Sequence, residues 1–333
     1  MENSLRENHR SGSVMSVEKP IRYLRNHEID KLKWDQCVRE SFNGNLYGWS
    51  WYLDIVHKNW EALVEGDYER VFPLTGNTRF GVSYLFQPFF AQQLGVYSRH
   101  IMSEEVTARF LRAIPSRFKL VEIRLNKHNK VPATGFGVSS HTNIELDLIH
   151  TYERIHRNYS SNTKRNLRKA QESGLWLSKN IRPEQVVALF RDNRGRTISH
   201  WNDREYRRFV QLAYTAIHRG QAVTYGVYDK ANQLLSGALF VKSNGKIVFL
   251  FSGTSPEGKA QHALTFMIDS IIREHAPGQY VLDFEGSDQT GLARFYLGFG
   301  GQTTTYPGVH INRLPWYLHW PVRMVKKFRK MFR

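Results

Sequence analysis

One cysteine, Cys37, occurs in the 333 residues. A single thiol excludes an internal disulfide and any multi-cysteine zinc site. The fourteen histidines show no ligand spacing, so no metal is expected. No apolar run approaches the ~20 residues that span a bilayer, and "IVFLFSG" (247–253) has only the length of a strand. The opening "MENSLRENHRSGSVMSVEKP" lacks the apolar centre of a signal peptide. These absences predict a loose tail over 1–19 and a cytoplasmic protein. There is no Gly-x-Gly-x-x-Gly, Walker loop, Gly-x-Ser-x-Gly or His-Glu-x-x-His, and from Gln289 onward no Asp or Glu.

What is present suits a globular chain of about two domains, with 41% hydrophobic and 13% aromatic residues. The net charge of +17 calls for an anionic partner: nucleic acid, acidic lipid or a phosphorylated substrate. The excess gathers after Gln289 and between Arg154 and Lys169, where six Lys/Arg stand without an acid.

Residues 20–60 read as helical, followed by two or three strands within 60–90, a helix capped by Ser103, and the strand "KLVEIRL" (119–125). The second half repeats the order. A basic helix is broken at Ser160-Ser161 and ended by Gly174, and two helices follow, the first opened by Pro183. Strands at "AVTYGVYD", "QLLSGALFVKS" and "KIVFLFSGTS" come next, then the helix "AQHALTFMIDSIIREH" and the strand "YVLDFEG". The expected organisation is a first domain over 20–150, a second over 151–313 holding the cleft, and a basic tail over 314–333.

Two stretches carry candidate chemistry. "KIVFLFSGTSPEGKA" ends a strand in small residues before a helix N-terminus, where free N–H groups can dock an anion. Ser252, Gly253, Thr254, Gly258 and Lys259 are the candidate donor-binding residues, although an ordinary strand–helix connection would use the same pattern. In "VLDFEGSDQTGLARFYLGFGG" (281–301), Asp283 and Glu285 stand two apart, on one face if the strand continues. Either could serve as a general base, and Tyr296 as a proton donor; a salt-bridged strand end with an aromatic core fits equally well.

Asp283-Phe284-Glu285-Gly286, Gly291-Leu292 and Phe295-Tyr296-Leu297-Gly298-Phe299-Gly300, with "TKRNLRKAQESGLWL" upstream, resemble the second domain of the Fem family. Its members add amino acids to cell-wall precursors. More broadly the chain resembles tandem-domain proteins of the Gcn5-related N-acyltransferase (GNAT) superfamily. The resemblance is clear over 150–305 and limited to topology and "PFFAQQLGVYS" before that. It implies an α/β fold of two tandem GNAT-like domains, each a mixed, mostly antiparallel sheet flanked by helices. It also implies an N-acyltransferase with acyl-CoA or another thioester as cosubstrate, no permanently bound cofactor, and an amine acceptor linked to lipid or the cell envelope. Lys164, Arg165 and Lys169 are then candidates for binding the acceptor or an anion. Two positions depart from the pattern: Tyr296 replaces a family lysine, and "EGKAQHA" supplies one glycine, Gly258, to the pyrophosphate loop.

The C-terminal "PWYLHWPVRMVKKFRKMFR" gives a helix with Phe328 and Phe332 on its apolar face and Lys326, Lys327 and Lys330 largely opposite. Trp316 and Trp320 precede it. That pattern predicts contact with an anionic membrane surface, placing the protein peripherally on the inner face of the cell membrane. Transfer RNA is the other candidate partner, through the basic helix; DNA is not expected. Two further readings accompany the acyltransferase: a Fem-type enzyme using charged tRNA on a peptidoglycan precursor, and a catalytically silent scaffold that binds membrane or RNA.

Overall fold

The computed structural model describes residues 19–197, 201–285 and 288–315. The proposed membrane-contacting residues Trp316, Trp320, Lys326, Lys327, Phe328, Lys330 and Phe332 lie outside them.

In chain order the first half contains β1 (Ile21–Leu24), α1 (Lys31–Glu40), α2 (Ser50–Val56), β2 (Glu61–Glu65), β3 (Arg70–Leu74), β4 (Gly76–Arg79), β5 (Val82–Phe86), β6 (Tyr97–Ser98), α3 (Glu104–Arg112), β7 (Phe118–Arg124) and β8 (Gly137–Asp147). The second half contains α4 (Tyr152–Arg157), α5 (Ser161–Glu172), β9 (Trp176–Lys179), α6 (Pro183–Asp192), α7 (Asp203–His218), β10 (Ala222–Tyr228), β11 (Leu234–Ser243) and β12 (Lys246–Thr254). It ends with α8 (Pro256–Ala260), α9 (Ala263–His275), β13 (Val281–Asp283), α10 (Thr290–Leu297) and β14 (Gln302–Asn312).

Local chemistry explains many boundaries. Asp30 caps α1 by accepting from the amides of Leu32 and Lys33, and Ser160 caps α5 through Thr163. Pro183 opens α6 at a position that needs no N–H donor. Three expectations change. Among the described residues the first element is a strand, β1, which pairs antiparallel with β2 and precedes the helices. The helix expected over 260–275 is split, because His262 adopts a left-handed conformation between α8 and α9. The long strands β8 and β14 were not expected at all.

Those two strands join the halves. A four-stranded sheet runs β1-β2-β3-β6, and a ten-stranded sheet runs β4-β5-β7-β14-β8-β13-β12-β11-β10-β9. Seven of the nine strand pairings in the larger sheet are antiparallel, while β5–β7 and β12–β13 are parallel. β14 inserts between β7 and β8, so a late segment completes the sheet of the first half.

Apolar side chains fill three cores. One joins Trp34, Tyr52 and Leu53 of the first half to Phe190, Phe209 and Phe251 of the second. Another packs α5 and α9 on the opposite face of the second half's strands, through Leu167, Met267, Ile268 and Ile271. The third lies under α3, with Phe72, Phe110 and Phe118 fully buried.

Candidate active site

Strands β12 and β13 pair only at Lys246–Val281, Ile247–Leu282 and Val248–Asp283. Beyond Val248, β12 continues to Thr254 while β13 stops, so the edge of β12 is left without a partner strand among the described residues. On its other side β12 keeps its pairing with β11, with an irregularity at Leu239/Phe240. Two parallel strands that part in this way leave backbone N–H and C=O groups available to an occupant.

Where the strands part, the chain after β13 turns sharply. Asp283 is the last strand residue, and Glu285 has φ +50°. The two carboxylates therefore do not share a strand face as the spacing predicted. Asp283 is buried and fully engaged: Asn143 Nδ2 donates to Oδ1 at 2.8 Å, Lys246 Nζ to Oδ2 at 2.7 Å, and the Glu285 amide to Oδ1 at 3.1 Å. Glu285 instead accepts a short hydrogen bond from the Tyr47 hydroxyl. Burial drives its carboxyl well above the usual carboxylate range.

Tyr296, on α10, stacks on Phe284 with ring centroids 4.7 Å apart and meets Phe249 of β12 edge-on. Its hydroxyl has no hydrogen bond among the described residues. Burial raises its pKa, Arg194 lowers it and Glu285 raises it further, which places the phenol within the field of both charges. The structure thus brings Glu285 and Tyr296 together at the divergence and gives Asp283 to an ion-pair network.

That network extends down one face of β8. Lys246 bridges Asp283 and Glu145 Oε1 (2.5 Å), and Lys127 Nζ meets Glu145 Oε2 at 2.7 Å. Burial pushes Glu145 up, but the Lys246 and Lys127 charges outweigh it and hold the group below its ordinary value. For Lys246 burial lowers and the two carboxylates raise, with a net rise. Further along β8, His141 Nδ1 lies 2.9 Å from Asp288 Oδ2, its Nε2 lies 3.2 Å from Ser139 Oγ, and its ring stacks on Tyr306. Sequence reasoning missed Tyr47, Lys127, His141, Asn143, Glu145, Lys246 and Asp288. A signal existed for part of this set: Ser139, His141, Asn143 and Glu145 alternate along one strand, as residues lining a polar cleft do.

The candidate donor-binding residues are placed in more than one setting. Thr254 Oγ1 is held 2.9 Å from Ser236 Oγ, whereas the part-buried Ser252 side chain has no described hydrogen bond. A Cβ on Gly253 would lie 2.4 Å from the backbone nitrogen of Phe190, so α6 rests directly on this glycine and one face of the strand is covered. Ser255 caps α8 by accepting from the Gly258 amide at 2.9 Å, which uses that N–H internally. Lys259 is exposed. At the start of α9, His262 is lowered by burial and by the charges of Lys169 and Arg165, so two of the basic residues of α5 lie beside the α8–α9 turn. Lys164 is directed elsewhere, to the Arg157 carbonyl at 2.8 Å.

Residues 157–290 match the family model described as an acetyltransferase (GNAT) domain. Over that stretch the chain resembles GNAT acetyltransferases, and its overall fold is similar to that of a Fem-type structure. A crystal structure of FemX superposes with a TM-score of 0.66 over 88% of this chain and 98% of that one, at 14% identity. The structure of L-PGS from Bacillus licheniformis gives 0.52 at 12% identity, over 90% and 96% of the two chains. The C-terminal domain (DUF2156) of a putative lysylphosphatidylglycerol synthetase from Agrobacterium fabrum gives 0.50 at 9%, over 85% and 92%. At these identities the likeness is one of fold. No curated protein matches the chain in sequence.

Proposed function

We propose that the protein is an N-acyltransferase that moves an acyl group from an activated donor, an acyl-CoA or another thioester, to an amine. The observation that carries this reading is the parting of β12 and β13 with Glu285 and Tyr296 at the point of divergence. The donor's acyl arm lies along the free edge of β12 near Ser252 to Thr254, where backbone N–H groups polarise the carbonyl. The amine nitrogen attacks that carbonyl carbon and its proton passes to Glu285. A carboxylate with a raised pKa is a stronger base near neutral pH. Tyr296, kept protonated by burial, gives its proton to the departing thiolate. Asp283 acts as a positioning residue, since it accepts the Glu285 amide. Lys169 and Arg165, beside the α8–α9 turn, face the anionic end of the donor.

Glu285→Gln should lower kcat/KM by about 100-fold or more and remove the acid limb of its pH profile; Tyr296→Phe should slow turnover while leaving donor binding intact. Thermal melting with coenzyme A, acetyl-CoA and a long-chain acyl-CoA identifies the donor. A ligand at about 100 times its Kd adds roughly 2.7 kcal/mol. Unchanged turnover in both variants refutes the site assignment.

A second reading, transfer from charged tRNA to an envelope precursor, is favoured by the likeness to FemX and by the cationic run from Arg154 to Lys169. Activity sensitive to ribonuclease and absent with a purified thioester would select it. Retention on anionic vesicles, lost on deleting 321–333, tests peripheral membrane attachment under either reading.

A further inference from the structure

Away from the parted strands, α2 and α7 face one another across a cavity of 750 Å³. On α7, Arg204, Arg207 and Arg208 recur at the three- and four-residue spacing that gathers side chains on one helix face. The other wall contributes Lys31, Asp54 and Lys58. Five of these six side chains are cationic. The single carboxylate is already engaged: Asp54 Oδ2 accepts from Lys31 Nζ at 2.8 Å and Oδ1 from the Trp60 indole at 3.0 Å. Arg208 approaches Glu205 only to 3.7 Å, beyond a hydrogen bond. Lys58, Arg204 and Arg207 have no carboxylate partner among the described residues. Burial, and next the charge of Arg204, holds Arg208 below its ordinary pKa, so cations that repel one another are kept together on one concave surface.

We infer that this cavity binds a small ligand carrying two or more phosphate groups. Guanidinium forks match phosphate oxygens two at a time, and a concave wall of one charge sign concentrates the field on an anion within it. The volume falls in the range of about 300–1,000 Å³ typical of small-molecule sites. A single phosphate would meet only part of a surface with cations on two walls; a diphosphate spans them. The site is distinct from the parted strands and from the α8–α9 turn, and the inference stands whether or not the transfer reading does.

Calorimetric titration of inorganic pyrophosphate into the full chain tests it. The wild type should bind, and Arg204→Ala/Arg207→Ala should raise Kd more than about tenfold with an unchanged melting temperature. Arg204→Lys/Arg207→Lys, which keeps charge and loses the fork, should fall between them. If the alanine variant misfolds, the lysine variant and Lys58→Ala give the same readout. No binding at millimolar pyrophosphate, or equal binding to wild type and both double variants, would overturn the inference. So would RNA binding that the variants weaken while pyrophosphate is ignored, because the site would then serve a phosphodiester backbone.

Discussion

Lys246 holds two buried carboxylates, Asp283 and Glu145, that lie 37 and 101 residues away from it in the chain. Replacing it with methionine leaves both acids without their shared cation, and breaking such a pair costs about 3–5 kcal/mol; urea unfolding should show the loss. The pH dependence follows from the same contacts. Glu145 is lowered in the folded state, so its contribution is present above the ordinary value of 4.5 and disappears as pH falls through the lowered one. Lys246 is raised, so its contribution is present below the ordinary 10.5 and disappears as pH rises through the raised value. Melting temperature should therefore hold between these limits, and Glu145→Gln should remove its share of the acid-side loss. Burial pushes the Cys37 thiol up to about 11, so a thiol reagent at pH 8 should modify it only in the unfolded protein. At this scale the sequence showed what short spacing can show. Glu285 and Tyr296 stand within one motif, whereas Tyr47, the partner of Glu285, is 238 residues distant and no local pattern links them.

Elements defined by periodicity and caps were legible: α5 from Ser160, α6 from Pro183, and β10 to β12 from their turns. β8 and β14 were not, because one face of β8 is polar where it lines the cleft and β14 contains Pro307. A proline argues against a central strand. Here it lies just outside the pairing with β7, which starts at Gly308, and its carbonyl accepts from Leu125. Contact between elements also sets a prediction. At Gly253, β12 and α6 meet with no room for a side chain, and the nearest obstructing atom is the backbone nitrogen of Phe190. Gly253→Ala should destabilise the protein by about 1–3 kcal/mol and separate α6 from the sheet, which circular dichroism melting would register.

The two halves share a continuous sheet and a core that unites Trp34 and Tyr52 with Phe209 and Phe251. Calorimetry should accordingly give one cooperative unfolding transition rather than two. The Fem-like resemblance made a tandem arrangement expected from the sequence; it could not reveal the joint, since pairing across 140 or more residues leaves no periodic trace. That joint has a consequence for how the protein is made. Synthesis delivers residues at about 5–20 per second, and β14 leaves the ribosome after every strand it must separate. Until it arrives, β7 and β8 stand with unsatisfied edges on the nascent chain. Completion of the first half's sheet is therefore timed by the arrival of a segment near the far end.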